Sequence, residues 1–154
     1  IAVGRGDEPG ARRAGWSALG LGAGFMIGPA VLFAAVPSGL IALFIDIGDA
    51  ANERVVALAT SYLLIAAAFQ LFDGCQAIAV GSLRGLKDTR VPMLIGFVGY
   101  IVIGVSASYA LGFHTALGGV GVWLGLLVAL VLVAALLTLR FHRTTAARAG
   151  LVAA

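Results

Sequence analysis

The chain has 154 residues, of which 61% are hydrophobic and 11% are charged, with a formal net charge of +3 and a single cysteine. Soluble domains carry about 25% charged residues, so this composition excludes an ordinary water-soluble domain. Apolar stretches of about 20 residues recur, and a helix needs that length to cross a bilayer. The composition therefore predicts an all-α, polytopic membrane protein.

Four apolar segments follow one another along the chain. Backbone polar groups cannot remain unpaired in lipid, so each segment is predicted to form a membrane-spanning helix. Thr89 is the expected N-cap of the third helix, and Arg140 is expected to end the fourth. The predicted parts are a polar loop at 1–13, helices at about 14–36, 55–81, 91–111 and 118–139, and a tail at 141–154.

The basic residues predict the orientation of these helices. Nine of the ten lie before the first helix, between the second and third, or after the fourth. These three segments fall on one side of the membrane, which the positive-inside rule makes cytoplasmic. We therefore expect a multi-pass protein of the plasma (inner) membrane with both ends of this chain cytoplasmic. Basic residues confined to short loops also argue against a nucleic-acid partner.

Small residues at helical spacing predict that the helices pack closely, because their backbones can then approach each other in lipid. They are Gly20, Gly24 and Gly28 in the first helix, Gly96, Gly104 and Ser108 in the third, and Gly121 and Gly125 in the fourth. Trp16 and Trp123 lie near helix ends, where indole rings favour the membrane interface.

Chemical catalysis is not indicated by any pattern in the chain. Cys75 has no second cysteine with which to form a disulfide, and no nucleophile–base pair, metal-ligand spacing or phosphate-binding loop is present. We therefore expect no enzymatic activity, no metal and no cofactor. The chain starts at Ile1 in a polar loop that is already under way, so we also expect it to be a fragment of a longer protein.

An aspartate interrupts the second apolar segment, in the stretch FQLFDGCQ from Phe69 to Gln76. Asp73 lies roughly two turns from the predicted end of that helix. A carboxylate near the bilayer centre costs on the order of 2.5–3.5 kcal/mol even on lenient insertion scales, so it faces protein or water. Successive residues of a helix are about 100° apart, so Asp73 lies on one stripe of the helix surface with Tyr62, Ala66, Phe69, Gln76 and Val80. Gln70 flanks this stripe. An acid, two amides and two aromatic rings on one face are typical of the wall of a wet cavity.

Three interpretations of Asp73 stay open at this point. It could exchange a proton or bind a monovalent cation, it could be a protonated structural group bonded to another helix, or Asp73-Gly74 could break the helix as a turn. A break would leave about nine apolar residues, too few for a span. Tyr100 in the third helix either lines the same cavity or packs on Gly96 or Gly104 of a neighbour.

Three motifs are spread along the chain, and the resemblance that they carry covers nearly all of it. They are GRGDEPGARRAG near the start, FQLFDGCQAIAVGSLRGLKDTRVPM in the middle, and a later GY followed by GGVGVWLGL. The chain resembles the multidrug and toxic compound extrusion (MATE) transporters, in their NorM-like branch. The resemblance implies a twelve-helix fold of two lobes, in which this chain supplies about helices nine to twelve and lacks the eight before them.

Several residue roles are implied by this resemblance. Asp73 occupies the position of an aspartate that takes part in cation coupling, and Gln76 matches the motif glutamine. Arg84, Gly85 and Thr89 match the loop of the motif, and we interpret them as structural, with Arg84 anchoring the helix end and Gly85 permitting the turn. The predicted cavity lining follows from the helical stripe and from Tyr100, and it consists of Tyr62, Phe69, Gln70, Gln76 and Tyr100. The chain departs from the family after Tyr100, where Ile101 replaces a tryptophan and Ser106 stands near the position of a proline.

The implied function is cation-coupled multidrug efflux. The chain would be part of an antiporter that exports small organic, often cationic, compounds in exchange for a proton or sodium ion. One alternative is a lipid-linked oligosaccharide flippase of the same superfamily, although no basic residue lies inside a predicted span. The other alternative is a small membrane scaffold protein that does not transport.

Overall fold

The computed structural model describes residues 3–152, with side chains described for residues 4–148. Its helices are α1 (Glu8–Ala35), the short α2 (Pro37–Ile41), α3 (Glu53–Gly85), α4 (Arg90–Phe97), α5 (Val105–Phe113) and α6 (Gly119–Val152). A π-helical segment, Val98–Gly104, joins α4 to α5, so that Arg90–Phe113 forms one continuous span. Four segments are long and apolar enough to cross a membrane, which confirms the predicted all-α fold with four spans.

Both outer helices extend further than the hydrophobic pattern indicated. α1 begins at Glu8, where the Asp7 carboxylate accepts a 2.8 Å hydrogen bond from the N–H of Gly10 and Pro9 occupies the first turn. The predicted loop at 1–13 is therefore partly helical. At the other end α6 passes through Arg140 to Val152, so the prediction that the helix stops there is wrong. A charge ends an apolar stretch, but it does not break a helix that continues into water.

The bundle is built around α6, which contacts α1, α3, α4 and α5. Its inward face meets α3 in a core of small and branched apolar residues. This core contains Leu19 from α1, Ala79 and Leu83 from α3, Leu86 after it, and Val133, Leu137 and Phe141 from α6. Large apolar side chains point outward on every span, as expected where lipid is as apolar as the side chains themselves.

Glycine packing is confirmed for the third and fourth spans. A methyl group at Gly125 would overlap the backbone of Ser108, and one at Gly121 would overlap the carbonyl of Leu111. One at Gly104 would lie 3.0 Å from the Cβ of Ala129. The two helices therefore touch backbone to backbone.

The same prediction is wrong for α1 and for Gly96. At Gly20, Gly24, Gly28 and Gly96, no atom of another helix among the described residues lies within 4 Å of where a Cβ would be. α1 instead turns Gly15, Leu19 and Gly22 toward the bundle, where Gly15 receives the Phe141 ring and Gly22 receives Ile78. Both glycine sets have helical spacing, and the large partners on α6 and α3 select which set faces inward.

Candidate functional site

The helix that carries Asp73 is unbroken. α3 continues through Asp73 and Gly74, and Gly74 is buried against Met26 of α1. This excludes the interpretation of Asp73-Gly74 as a turn. Because α3 extends to Gly85, Asp73 lies about 18 Å, or more than three turns, from that end. The carboxylate is thus deeper than the two turns predicted from the sequence.

Asp73 has no bonding partner among the residues that the structure describes. Its side chain is exposed, and neither a hydrogen bond nor an ion pair reaches it from residues 4–148. The structural interpretation, a carboxyl group bonded to another helix, is therefore not realised within this part of the chain. An exposed carboxylate at this depth must face water or other protein, because lipid disfavours it strongly.

Gln76 and Tyr100 connect this stripe to the third span. The Tyr100 hydroxyl donates a 2.5 Å hydrogen bond to Oε1 of Gln76. Gln76 is three residues beyond Asp73 and lies on the same helix face, so the tyrosine hydroxyl sits about one turn from the carboxylate. Of the two interpretations of Tyr100, this contact favours the one in which it lines the same face. Gln70 is half-buried at the edge of the stripe.

The π-helical segment explains how Tyr100 reaches Gln76. Tyr100 lies inside Val98–Gly104, where the wider turn changes the direction in which side chains point. Gly99 in the same segment is buried against Val133 of α6, which holds the segment close to the bundle. The resemblance showed only that Ile101, inside this segment, replaces the family's tryptophan and that Ser106, in α5, stands near the position of its proline. A π-helical turn has no residue pattern by which it could have been predicted.

Trp123 is a member of this site that sequence analysis missed. Its ring lies 5.7 Å from that of Phe69, edge to face, and 6.3 Å from that of Tyr62. The Tyr62 hydroxyl occupies the space beside Gly119, where any side chain would collide with it. Three aromatic rings from α3 and α6 therefore form a continuous wall on the N-terminal side of Asp73 along α3. The sequence had suggested only an interfacial role for Trp123.

Removing the Tyr100 hydroxyl tests the link between Gln76 and the third span. We expect Tyr100→Phe to lower the free energy of unfolding by about 1 kcal/mol, since one interhelical hydrogen bond is lost. Thermal unfolding in detergent measures this change. Tyr109→Phe is the matched control, because Tyr109 is an exposed tyrosine of the same span. Equal melting temperatures for both variants would contradict the assigned bond.

The loop after α3 turns at a different residue from the one predicted. Gly85 is the last helical residue and has no positive φ, whereas Lys87 has a φ of 64°. The N–H of Lys87 donates to the carbonyl of Arg84, and that of Asp88 donates to the carbonyl of Leu83, both at 2.9 Å. This is the Schellman pattern, in which the left-handed position is usually glycine. Thr89 occupies the N-cap position of α4 without a side-chain cap bond, and Arg84 is exposed.

A glycine at position 87 should therefore stabilise the protein. A non-glycine residue in the left-handed region costs roughly 1–2 kcal/mol, and part of this is recovered when the side chain is removed. We expect Lys87→Gly to raise the free energy of unfolding by about 1 kcal/mol. Lys87→Ala is the control, since it removes the same charge but keeps the strain. A Gly variant no more stable than the Ala variant would refute this explanation.

Basic residues and their partners collect at one end of the bundle. Arg140 Nε lies 2.9 Å from Asp88 Oδ2, and Arg148 donates to the carbonyl of Leu86 at 2.9 Å. Nη1 of Arg148 also lies 3.6 Å from Oε1 of Glu8, at the start of α1. These contacts bring together the three basic segments that the sequence assigned to one side. That this side is the cytoplasm stays a prediction.

Comparison with protein families decides the classification. The family model described as MatE matches residues 2–110, which include α1, α3 and most of the third span. The chain belongs to the MatE family. The resemblance predicted from the sequence motifs is thereby confirmed, and the match contains Asp73, Gln76 and Tyr100 together.

Curated relatives of this MatE chain are proteins about three times its length. It is 44% identical over 153 residues to a probable multidrug resistance protein NorM of Brucella suis biovar 1, covering 99% of this chain and 32% of the relative. It is 49% identical over 145 residues to one from Burkholderia pseudomallei, covering 94% and 31%. It is 46% identical over 143 residues to the multidrug resistance protein NorM of Burkholderia vietnamiensis, covering 93% and 31%. The chain thus spans about a third of these relatives.

Proposed function

We propose that this chain forms the C-terminal part of a membrane antiporter that exports small organic, often cationic, compounds in exchange for a proton or sodium ion. The observation that carries the proposal is the MatE match, because it extends over the segment that holds Asp73. The relatives' names refer to multidrug resistance, which favours export of foreign compounds over the flippase and scaffold alternatives. Transport of this kind changes no covalent bond, so the proposed role is not enzymatic.

Asp73 is the proposed coupling group. A bare carboxylate at its depth is disfavoured, and binding a proton or a monovalent cation removes its net charge. A cationic substrate could neutralise it in the same way. One carboxylate would then hold either the coupling ion or the substrate, and exchange of the two would follow from their competition. Alternating access would come from rocking this bundle against a second lobe.

The neighbouring side chains suit an organic cation. Tyr100 occupies Oε1 of Gln76 and leaves the amide NH₂ of that residue as a donor on the face that carries Asp73. The rings of Tyr62, Phe69 and Trp123 supply apolar area and aromatic faces, which attract cations. We propose that the substrate lies against this aromatic wall with its charge toward Asp73. The remaining walls would come from the eight helices that precede this part in a longer transporter.

Dye export from living cells tests the proposal. The whole transporter, made in bacteria that lack their own efflux pumps, should lower the accumulation of a lipophilic cationic dye. Collapse of the proton or sodium gradient should restore dye accumulation to its level without the transporter. The 154-residue chain made alone should not export dye, since it spans about a third of its relatives. If cells that make the whole transporter accumulate as much dye as cells that carry the empty vector, the proposed function is refuted.

A further inference from the structure

A second apolar crevice lies on the other side of α3. Cys75, two residues after Asp73, is about 200° around the helix from it and faces this crevice. The crevice has a volume of about 480 Å³ and is open to the outside of the bundle. Its walls come from α1, α3 and α6 and include Trp16, Phe72, Cys75, Ala135, Leu139 and His142. It is therefore separate from the stripe proposed for transport.

The length of the crevice corresponds to one leaflet of a bilayer. It extends along α6 from Val131 to His142. At 1.5 Å per residue this is about 16 Å. Half of a bilayer's hydrocarbon core is about 15 Å. Apart from Thr138 and the residues at its mouth, the walls are apolar, so the crevice offers an acyl chain contacts along its whole length.

The mouth of the crevice is basic. Trp16 borders both the crevice and an adjoining surface depression formed with Pro9, Arg12, Arg13 and Ser17. Its ring lies 6.0 Å from that of His142, edge to face, on the opposite wall. An indole at the junction of an apolar groove and a charged surface is typical of the membrane interface.

The arginines at this mouth are available to an anion. Within residues 4–148, the ion pairs involve Arg140 and Arg148 and not Arg12 or Arg13. Neither nearby acid forms an ion pair with these arginines, since the Asp7 carboxylate accepts a hydrogen bond from the N–H of Gly10 and Glu8 Oε1 lies 3.6 Å from Nη1 of Arg148. The guanidinium groups of Arg12 and Arg13 therefore form no ion pair with a carboxylate of the described residues and can bind an anion at the mouth.

We propose that this crevice binds one anionic phospholipid, with its phosphate at Arg12 and Arg13 and one acyl chain between α1, α3 and α6. The occupant follows from the combination of a leaflet-length apolar groove, a tryptophan at its rim and a basic mouth. A small soluble anion would leave the groove uncovered, and a zwitterionic lipid would lack the charge complement. The inference depends on membrane embedding and not on ion coupling, so it can fail without affecting the proposed transport.

Native mass spectrometry measures this binding on the protein purified as the cell makes it. With added phosphatidylglycerol we expect a bound-lipid species that phosphatidylcholine gives much more weakly and that inorganic phosphate does not displace. Arg12→Gln with Arg13→Gln should weaken phosphatidylglycerol binding by about thirtyfold, since each basic side chain near an anionic headgroup contributes roughly fivefold. Ala135→Phe, which fills the crevice, should weaken both lipids alike.

The matched control is Arg84→Gln with Arg90→Gln, which removes two exposed charges from the same end of the bundle. It should bind phosphatidylglycerol as the wild type does. Equal losses in the two double variants would mean a general attraction to anionic lipid and would overturn the site. Displacement by phosphate would identify a soluble anion as the ligand. A lipid-free dimer would identify a second copy as the occupant, and either result would also overturn it.

Discussion

Asp73→Asn should strongly reduce ion-coupled efflux while leaving the protein folded. Asparagine keeps the size of aspartate and an acceptor oxygen, but it cannot bind and release a proton and it has no negative charge with which to hold a cation. Coupling free energies between two ligands are typically 1–3 kcal/mol, so we expect gradient-driven export to fall about 5- to 150-fold. The assay is the rate of dye export from cells or inverted vesicles in which a proton or sodium gradient is imposed.

Two variants make this experiment specific. Asp73→Glu retains a carboxylate on the same face of α3 and should retain part of the coupled export. Asp49→Asn removes an acid from the loop before α3, where the Asp49 side chain accepts a hydrogen bond from the N–H of Ala51, and this variant should export normally. Unchanged export and unchanged ion dependence in Asp73→Asn would contradict the coupling role.

Gly125→Ala should destabilise the packing of the third and fourth spans. The added methyl group would collide with the backbone of Ser108, which cannot rotate away as a side chain can. Overpacking typically costs 1–3 kcal/mol, and we expect a loss of about 3 kcal/mol because the colliding atoms are backbone. Thermal unfolding of the purified 154-residue chain in detergent measures the change.

The control for this variant has the opposite expected sign. Gly96→Ala adds a methyl group in a helix where nothing lies within 4 Å, so helix propensity alone should act. Alanine is favoured over glycine in a helix interior by about 1 kcal/mol. A gain in stability at position 96 together with a loss at position 125 would support the backbone contact. Similar effects at both positions would refute it.

The four spans could be predicted from the sequence because the thickness of the bilayer requires each membrane-spanning helix to contain about 20 apolar residues. It also predicted the stripe of Tyr62, Phe69, Asp73 and Gln76, because residues on one regular helix keep their relative directions. Helical spacing cannot tell which face of a helix meets its neighbours. For this reason Gly20, Gly24 and Gly28 were assigned to an interface that Gly15 and Gly22 occupy.

Other features depend on contacts between distant parts of the chain. Trp123 joins the aromatic wall only when α6 packs beside α3. The bond from Tyr100 to Gln76 depends on a π-helical turn, which shifts side-chain directions without any marker in the sequence. Lys87 adopts a left-handed conformation that glycine would be expected to supply. Such features arise from packing, so composition and periodicity could not have predicted them.

The most direct test of Asp73 measures whether substrate binding releases the coupling ion, and it does not require transport. Purified transporter in weakly buffered solution, or loaded with labelled sodium, is mixed with a cationic substrate, and the released proton or sodium is counted per protein. If the ion and the substrate compete for Asp73, the wild type releases the ion and Asp73→Asn binds substrate without releasing it. Equal release from both proteins would show that the ion is held elsewhere and would contradict the assignment of Asp73 as the coupling carboxylate.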